Sequence, residues 1–446
     1  MSEKVLMKGN EAIAEAAILA GCRHYFGYPI TPQTEVAAYM AKKMPKIGGT
    51  FLQAESEIAA INMVYGVSSA GLRVMTSSSS PGISLKGEGL SYLAGADLPA
   101  LVVNVQRGGP GLGGIQPSQS DYFQATRGGG HGDYHMIVLA PASVQEMAEL
   151  TVKGFELADQ YRMTSMILAD GTMGQMMEPV ALDFKVAPPP EKPWATTGTG
   201  MKRPHNIVNS LFLQPEELEK FNFERYERYR KIEETEARFE EYRMDDAEIC
   251  IAAFGIAARV SRNAIDEARR QGVKAGMIRP ITLWPFPKEA FRRAAGHVKA
   301  FISVELSMGQ MIEDVELATR CARPVSLVNR AGGVIPSPEE VLAKINEINA
   351  LCEKALKAQA EQLTKNHAAE MNKVFESVIA EGEKMEKELA EAATKNAKMY
   401  KTAQKLYESS AKLNSILLEA VRKSAPEKKM TRYATAALRA VESLRK

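Results

Sequence analysis

The chain has few cysteines and no long apolar run. Its four cysteines, Cys22, Cys250, Cys321 and Cys352, are far apart and form no C-x-x-C pair. They predict no disulfide framework, and neither a structural zinc site nor an iron–sulfur cluster held by this chain. No run of about 18 apolar residues occurs, and no apolar leader follows the first four residues, so the sequence predicts a soluble cytoplasmic protein without a membrane span.

An excess of one charge is also missing. Lysine and arginine number 56 and aspartate and glutamate number 54, giving a net charge of +2. This balance argues against a nucleic-acid-binding footprint over the whole chain. With 446 residues and 45% hydrophobic content, the chain can bury at least two cores of ordinary size.

Residues 1–187 alternate between short apolar runs and helical stretches, which predicts a doubly wound parallel sheet. The predicted helices include Asn10–Leu19, Glu57–Gly71 and Ser143–Ala158. The predicted strands are continuous apolar runs: His24–Tyr28, Thr50–Gln53, Arg73–Ser77, Ala100–Val105, Ile137–Leu139 and Ser165–Leu168.

The remainder of the chain divides by composition into three further parts. Residues 188–246 are proline-rich and then charged, which predicts a linker with one solvated helix. Residues 247–350 predict a second α/β domain. Its predicted strands are Ile249–Phe254, Lys274–Ile278, Ala300–Val304 and Val325–Leu327, and its predicted helices are Ala258–Arg270, Lys288–Ala294 and Ile312–Cys321.

Residues 351–446 contain one glycine, one proline, 19 basic and 13 acidic residues. Apolar side chains recur there at heptad spacing, which predicts a coiled-coil-like helical tail that is straight or folds back near Gly382 or Asn396. One set of heptad positions is Met371, Val378, Met385, Ala392, Met399, Leu406, Leu413 and Ala420. The companion set includes Phe375, Leu389, Ala403 and Leu417.

Three segments at predicted strand-to-helix junctions bring together a hydroxyl, a carboxylate and a guanidinium. The turn Gly27-Tyr28-Pro29-Ile30-Thr31-Pro32 is stiffened by its two prolines. Glu57 opens an apolar helical run, and Arg107 opens a glycine-rich loop. Since parallel strands deliver such junctions to one crevice, the pattern predicts a site for an anionic substrate.

Several longer stretches carry a family resemblance. They are Lys8–Ala12, the G-Y-P-I-T-P turn, Gln53–Ala60, Ser77–Gly82, Gln106–Gly111, Gly113–Phe123 and Trp194–Gly198. Together they resemble the alpha subunit of the 2-oxoacid:ferredoxin oxidoreductases, especially the branched-chain type that acts on 3-methyl-2-oxobutanoate (2-ketoisovalerate). The resemblance covers residues 1–350 and excludes the tail.

The resemblance implies a fold and a set of residue roles. Residues 1–187 would be a thiamine-diphosphate pyrimidine-binding domain, and 247–350 a transketolase-C-terminal-like domain. Glu57 would hydrogen-bond the pyrimidine ring and promote loss of the thiazolium proton. Thr31 and Arg107 would hold the 2-oxoacid. Further cofactor-binding positions would be Tyr28, Pro29, Ile30, Ser80 and Gly82.

The same resemblance implies partner chains. Thiamine enzymes hold the diphosphate through a metal bound at a Gly-Asp-Gly element, and this chain has only Ala169-Asp170-Gly171-Thr172. Thiamine diphosphate would therefore lie at an interface, with its diphosphate and Mg²⁺ on a beta subunit. The 4Fe–4S clusters would belong to partners such as gamma and ferredoxin-like subunits, with ferredoxin as acceptor and coenzyme A as co-substrate. A hetero-oligomer is implied.

Other features leave alternatives open. The loop Gly108–Gly114 has six glycines and prolines in seven positions, and suits either close approach to a ligand or a flexible turn. The histidines of His131–His135 lie among glycines, which disfavours a metal site. Glu305–Gln310 is predicted to be a strand-to-helix turn at a subunit contact, without a chemical role.

Two alternative functions also stay open. The first alternative is the same chemistry on pyruvate, 2-oxoglutarate or an arylpyruvate. The absence of basic residues from Gly108 to Thr126 mildly disfavours 2-oxoglutarate. The other is an assembly or scaffolding role for the helical tail.

Overall fold

The computed structural model describes residues 4–393 and 400–424. The chain divides into two compact units, one ending at Lys354 and the other beginning at Ala355. The strands are β1 Lys4–Lys8, β2 His24–Gly27, β3 Thr50–Gln53, β4 Val74–Ser78, β5 Ala100–Gln106, β6 Ile137–Leu139, β7 Thr164–Asp170, β8 Met177–Ala181, β9 Phe239–Tyr242, β10 Ile249–Ala252, β11 Ala275–Pro280, β12 Thr282–Trp284, β13 Ala300–Glu305 and β14 Val325–Asn329.

The helices lie between these strands and then form the C-terminal end of the described chain. They are α1 Gly9–Leu19, α2 Thr34–Lys43, α3 Glu57–Ser69, α4 Ser80–Gly95, α5 Tyr122–Thr126, α6 Val144–Tyr161, α7 Gly171–Gln175, α8 Pro215–Thr235, α9 Gly255–Arg270, α10 Lys288–Ala295, α11 Met311–Thr319, α12 Pro338–Ala393 and α13 Tyr400–Ser424.

The first sheet has seven strands in the order β12-β6-β7-β5-β4-β2-β3. All neighbouring pairs are parallel except β12 with β6. Every residue of β4, β5 and β7 is buried, as expected for strands covered on both faces. The doubly wound parallel sheet predicted from the apolar runs is confirmed.

The second sheet has five strands in the order β14-β13-β10-β11-β9. β10, β11, β13 and β14 are parallel neighbours, and β9 pairs antiparallel with β11. β9 and α8 both lie in the segment predicted to be a linker, and β12 leaves the second domain to pair with the first sheet. The domain boundaries given above stay a prediction.

A two-stranded antiparallel sheet, β1 with β8, had no counterpart in the sequence prediction. Both strands are mostly exposed or half-buried. β1 has only the short apolar run Val5-Leu6-Met7 between two lysines, and β8 has none longer than two residues.

The two larger sheets contact each other through a polar segment that follows Arg107. The Gln119 backbone N–H donates to the Leu306 carbonyl oxygen (2.9 Å), and the Leu306 N–H donates to Gln119 Oε1 (3.1 Å). Gln119 Nε2 also donates to the Phe254 carbonyl oxygen (2.9 Å). Gln119 thus joins the first sheet to two turns of the second.

The predicted turn after β13 is organised by Glu305, which is 1% exposed. Its carboxylate accepts hydrogen bonds from the Ser303 and Ser307 hydroxyls at 2.8 and 2.7 Å. It also accepts the backbone N–H groups of three residues that begin α11, at 2.8 to 3.1 Å: Gln310, Met311 and Ile312. The Glu305 carboxylate thereby satisfies backbone N–H groups that a helix start leaves free. Glu305 therefore has a structural role; the subunit contact predicted for this turn stays a prediction.

The C-terminal region is helical, as predicted. α12 begins in the first unit, where Val341, Ile345 and Ile348 are buried at helical spacing. Beyond Cys352, the half-buried residues of α12 up to Glu391 are Met371, Phe375, Val378, Met385 and Leu389, all of which are heptad positions. In α13, the half-buried residues between positions 404 and 419 are Ser410 and Leu417, which also lie on the heptad pattern.

Two observations concern the limits of this region. The predicted heptad member Met399 and the fold-back candidate Asn396 lie outside the described residues. Within the ranges 4–393 and 400–424, no helix is both long enough and apolar enough to cross a membrane.

Replacing Glu305 with alanine is expected to lower the free energy of unfolding by about 3 kcal/mol, since buried N–H and O–H donors lose their acceptor. Glu313→Ala is the matched control, because Glu313 lies in the first turn of the same helix and is exposed. Denaturant unfolding of the full chain measures both variants. Equal stabilities for the two would contradict the role given to Glu305.

Candidate active site at the carboxyl edge of the first sheet

Four neighbouring parallel strands end at one edge of the seven-stranded sheet. They lie in the order β5-β4-β2-β3, so the chain adds β3 on one side of β2 and then adds β4 and β5 on the other. Open α/β sheets bind ligands in the crevice at such a reversal. The segments after these strands hold the residues singled out from the sequence.

Glu57 is the first residue of α3, directly after the N-cap Ser56, whose Oγ accepts the Ala59 N–H. Its side chain is 6% exposed. Neither carboxylate oxygen accepts a hydrogen bond from another residue in the described ranges. A carboxylate at a helix N-terminus is stabilised by the helix dipole, but a buried one without donors is costly. The Glu57 carboxylate is thus available to a donor from outside the chain.

Gly82 lies against Glu57 in the first turn of α4. A Cβ atom built on Gly82 would lie 2.6 Å from Glu57 Oε1 and 2.1 Å from Ser78 Oγ. Only glycine leaves room for the carboxylate at this position. Both predicted positions, Glu57 and Gly82, are therefore adjacent in space.

Arg107 follows β5 and is 7% exposed. Its Nη1 donates to the Thr31 carbonyl oxygen (2.9 Å), and its Nη2 donates to the Leu112 carbonyl oxygen (3.0 Å). Arg107 thus connects the proline-flanked turn to the glycine-rich loop. Two of the five guanidinium N–H groups are used in this way, and the buried Nε is without a partner among the described residues.

Ser80 connects Arg107 to α4. Ser80 Oγ accepts the Arg107 backbone N–H (3.0 Å) and donates to Asp121 Oδ2 (2.6 Å). Because Ser80 and Gly82 belong to the same helical turn, that turn separates Arg107 from Glu57 and contacts both. The structure therefore brings together the predicted residues Thr31, Arg107, Ser80, Gly82 and Glu57.

Asp121 was missed as a site residue, although it lies in a stretch quoted for the resemblance. It accepts hydrogen bonds from Ser80 Oγ and from Asn104 Nδ2 (2.9 Å), and its N–H donates to Gln106 Oε1 (3.1 Å). Burial raises its pKa, while the Ser80 and Asn104 hydrogen bonds oppose that shift. Its position in a long loop gave no local signal of this contact.

The proline-flanked turn directly follows β2, the neighbour of β4 in the first sheet. Tyr28, Pro29 and Thr31 are exposed and Ile30 is half-buried. The turn is fixed from below by the fully buried Gln33, whose Oε1 accepts the Ser77 hydroxyl (2.5 Å) and whose Nε2 donates to the Tyr28 carbonyl oxygen (3.4 Å). Thr31 is therefore an exposed residue of a turn with a fixed base.

Asp170 does not resemble a metal ligand. Its Oδ1 accepts the N–H groups of Thr172 (2.9 Å) and Met173 (3.0 Å), and so caps α7. Burial raises its pKa to about 6, against the opposing effect of hydrogen bonds from these groups and from the Ile256 N–H. A carboxylate enclosed by backbone donors is engaged in the fold.

The other metal candidates are also engaged or dispersed. The His135 ring stacks on Trp284 at 4.7 Å between ring centroids, and burial lowers its pKa. Cys22, between α1 and β2, and Cys250, in β10, are both fully buried. Within residues 4–393 and 400–424, no group of three histidine, cysteine or acidic side chains is arranged to hold a metal ion.

Two protein-family models match this chain. A family model described as pyruvate flavodoxin/ferredoxin oxidoreductase, thiamine diphosphate-binding, matches residues 15–243. A second, described as pyruvate:ferredoxin oxidoreductase core domain II, matches residues 247–341. The chain belongs to the 2-oxoacid:ferredoxin oxidoreductase family. It is a subunit of such an enzyme, as the resemblance implied.

The chain is also similar in sequence to individual members of this family. The chain is 53% identical over 344 residues to the ketoisovalerate oxidoreductase subunit VorB of Methanothermobacter marburgensis, covering 77% of this chain and 97% of that protein. It is 35% identical over 378 residues to the 2-oxoglutarate synthase subunit KorA of Methanothermobacter thermautotrophicus, covering 78% of this chain and 100% of that protein.

A solved oxidoreductase structure has the same fold. The 2-oxoglutarate:ferredoxin oxidoreductase from Magnetococcus marinus, with 2-oxoglutarate, coenzyme A and succinyl-CoA bound, aligns with a TM-score of 0.67 at 29% identity. The alignment covers 78% of this chain and 65% of that chain.

The residues present fit part of the cofactor that the family name implies. The free, shielded Glu57 carboxylate and the glycine beside it suit a ring that donates a hydrogen bond. No group in the described residues suits the diphosphate metal, since Asp170 is occupied by backbone donors. In the described residues of the oxidoreductase subunit, Glu57 and Gly82 therefore fit the ring end of thiamine diphosphate, and no cluster of side chains fits the metal.

Gly82→Ala is expected to lower turnover of the reconstituted oxidoreductase about a hundredfold, because the added methyl group would displace Glu57 by about 1 Å. The matched control is Gly66→Ala in α3, where a Cβ would meet nothing within 4 Å. This control is expected to keep full turnover and gain about 0.5–1 kcal/mol of stability. Steady-state assays and thermal unfolding of both variants measure these effects, and normal turnover of Gly82→Ala would contradict the geometry.

Proposed function

We propose that this subunit acts in the coenzyme A-dependent oxidative decarboxylation of a branched-chain 2-oxoacid. The 2-oxoacid and coenzyme A would give an acyl-CoA and CO₂, and the electron pair released would pass through iron–sulfur clusters to ferredoxin. The observation that carries the proposal is Glu57, a shielded carboxylate that has no hydrogen-bond donor within the described chain and faces a glycine at the switch point of the sheet.

Glu57 would accept a hydrogen bond from the pyrimidine ring of thiamine diphosphate. When bound, the cofactor supplies the electron sink that allows the bond between the carboxylate and the carbonyl carbon to break. Glu57 would orient the ring and share the proton of the hydrogen bond that the ring donates. The small exposed fraction of the Glu57 side chain favours this sharing because it limits access of water. Tyr28, Pro29, Ile30 and Ser80 would complete the wall of this site.

Arg107 and Thr31 would hold the substrate carboxylate. The Arg107 guanidinium has unused N–H groups next to Thr31, and its contacts with two carbonyl groups fix its plane. A fixed guanidinium can bind a carboxylate through two parallel hydrogen bonds. This orientation would place the substrate carbonyl carbon for attack and the carboxylate for loss as CO₂.

The branched-chain substrate is supported by the loop that Arg107 holds. The Leu112 carbonyl accepts from Arg107, and the Leu112 and Ile115 side chains are 83% and 57% exposed. Exposed apolar side chains in the loop that Arg107 contacts suit an aliphatic substrate tail, and the loop has no cation for a second carboxylate. The greater identity to ketoisovalerate oxidoreductase subunits than to 2-oxoglutarate synthase subunits agrees with this choice.

Partner subunits would supply what this chain lacks. A beta subunit would hold the diphosphate and Mg²⁺, while gamma and ferredoxin-like subunits would complete the complex and carry 4Fe–4S clusters. The cytoplasmic location stays a prediction.

An assembly role is proposed for the tail alongside this chemistry. The VorB relative is covered over 97% of its length by 344 aligned residues, whereas this chain has 446. The half-buried residues of the tail coincide with heptad positions, which is typical of helices that pack together. A tail of this kind would add a contact between subunits without entering the active site.

Glu57→Gln in the reconstituted complex is expected to lower kcat by about 10²- to 10⁴-fold, because a proton-sharing carboxylate is lost. Glu55→Gln is the control, since Glu55 is exposed two residues earlier.

The substrate assignment is tested on the wild-type complex, which is assayed with 3-methyl-2-oxobutanoate, pyruvate, 2-oxoglutarate and phenylpyruvate, using a viologen dye. We expect the highest kcat/KM for the branched-chain acid. Full activity of Glu57→Gln would refute the catalytic role, and a preference for another acid would refute the substrate assignment.

Removing residues 355–446 is expected to reduce the number of subunits in the assembled complex and leave turnover per site unchanged. Light scattering measures the mass of the full-length and shortened complexes, and the viologen assay measures turnover. A subunit number that is unchanged once the mass of the removed residues is subtracted would reject the assembly role. A loss of turnover at a constant subunit number would indicate that the tail serves the active site.

A further inference from the structure

Lys86 is a fully buried lysine to which no role has been assigned. It lies in α4, one turn after Gly82, and none of its surface is exposed. Gly82 and Gly89 flank it on the same helix face, at spacings of four and three residues. Lys86 therefore faces the same neighbour as these two glycines.

That neighbour is the first part of α3. A Cβ on Gly82 would lie 2.6 Å from Glu57 Oε1, and a Cβ on Gly89 would lie 2.4 Å from Ile61 Cγ2. The two glycines thus let α3 and α4 approach closely, and the Lys86 side chain lies between the contacts. Its Nζ donates a long hydrogen bond, 3.4 Å, to the Glu57 main-chain carbonyl oxygen.

The position is costly for a lysine that only fills space. An ammonium group carries three donors, and Lys86 makes this one hydrogen bond among the described residues. Burial lowers its pKa to about 8, and the Glu57 charge partly offsets that effect. In the described part of the chain, Glu57 is the one charged group that shifts the Lys86 pKa. A methionine would pack the same space without desolvating a charge.

We propose that Lys86 is a positioning residue for Glu57: its ammonium group fixes the first turn of α3 through the Glu57 main-chain carbonyl and places a positive charge near the Glu57 side chain. This inference rests on the proposed function, in which that carboxylate accepts a hydrogen bond from the cofactor ring. Lys86 itself touches neither substrate nor cofactor in this role.

The role requires the protonated form of Lys86. Since the Lys86 pKa is about 8 in the folded chain, the charge is present at neutral pH and is lost as the pH rises through that value. Turnover should fall along the same limb. The lowered pKa also means that the charged form destabilises the fold at neutral pH, and that this cost disappears between about pH 8 and the unfolded value near 10.4.

Lys86→Met in the reconstituted complex tests the proposal. We expect kcat at pH 7 to fall at least about tenfold with little change in KM, and the alkaline fall near pH 8 to vanish. The full-length variant should unfold at the same or a higher denaturant concentration. Leu90→Met is the control, since Leu90 is fully buried one turn further along α4 and away from Glu57. Turnover within about twofold of wild type, with the alkaline fall intact, would overturn the proposal.

A measurement on the full chain without partners decides the case if Lys86→Met does not assemble. The chain is labelled with ¹³C at lysine Cε, and the Lys86 signal is assigned by its absence in Lys86→Met. We expect its NMR titration midpoint near pH 8, and a lower midpoint in Glu57→Gln, because the supporting negative charge is lost. A midpoint at the ordinary lysine value, or one unchanged by Glu57→Gln, overturns the proposal.

The two experiments separate this inference from the proposed function. If Glu57→Gln abolishes turnover but leaves the Lys86 titration unchanged, the function stands and the positioning role fails. If Glu57→Gln keeps full turnover while moving the Lys86 midpoint, the two groups are coupled but the catalytic role of Glu57 fails.

Discussion

The first turn of α4 is the constraint on which the site depends. Ser80 holds the backbone of Arg107, while Gly82 leaves space for the Glu57 carboxylate. The two groups thought to act on substrate and cofactor are therefore separated by a single helical turn, and the buried strand β4 fixes where that turn begins. A movement of α4 would disturb both groups at once.

The electrostatics of the site follow from the same arrangement. Glu57 has no hydrogen-bond donor of its own in the described chain, and Arg107 has donors to spare, so each is incomplete until a ligand arrives. Leaving polar groups unsatisfied costs stability, and such costs are concentrated where proteins bind and react. The well-satisfied carboxylates, Glu305 and Asp170, lie instead at helix starts that hold the fold together.

Much of this could be predicted from the sequence because the first sheet is built from continuous apolar strands. Those strands located the junctions that carry Thr31, Glu57 and Arg107. The pairing of β9 with β11 and that of β12 with β6 could not be predicted, because both β9 and β12 are short and their partners are set by tertiary contacts. Asp121 and Lys86 were missed for a similar reason: their importance comes from neighbours distant in the chain. Helical spacing from Gly82 could have indicated the direction in which Lys86 points.

The strand β12 links the segment that forms the second sheet to the first sheet. It lies in the chain segment that forms the second sheet, between β11 and β13, yet it closes the edge of the first sheet by pairing with β6. An isolated fragment ending before residue 282 would leave the β6 backbone open to water and to other chains, and exposed sheet edges promote aggregation. The segment that forms the first sheet is therefore not suited to separate expression, and a shortened subunit must retain β12.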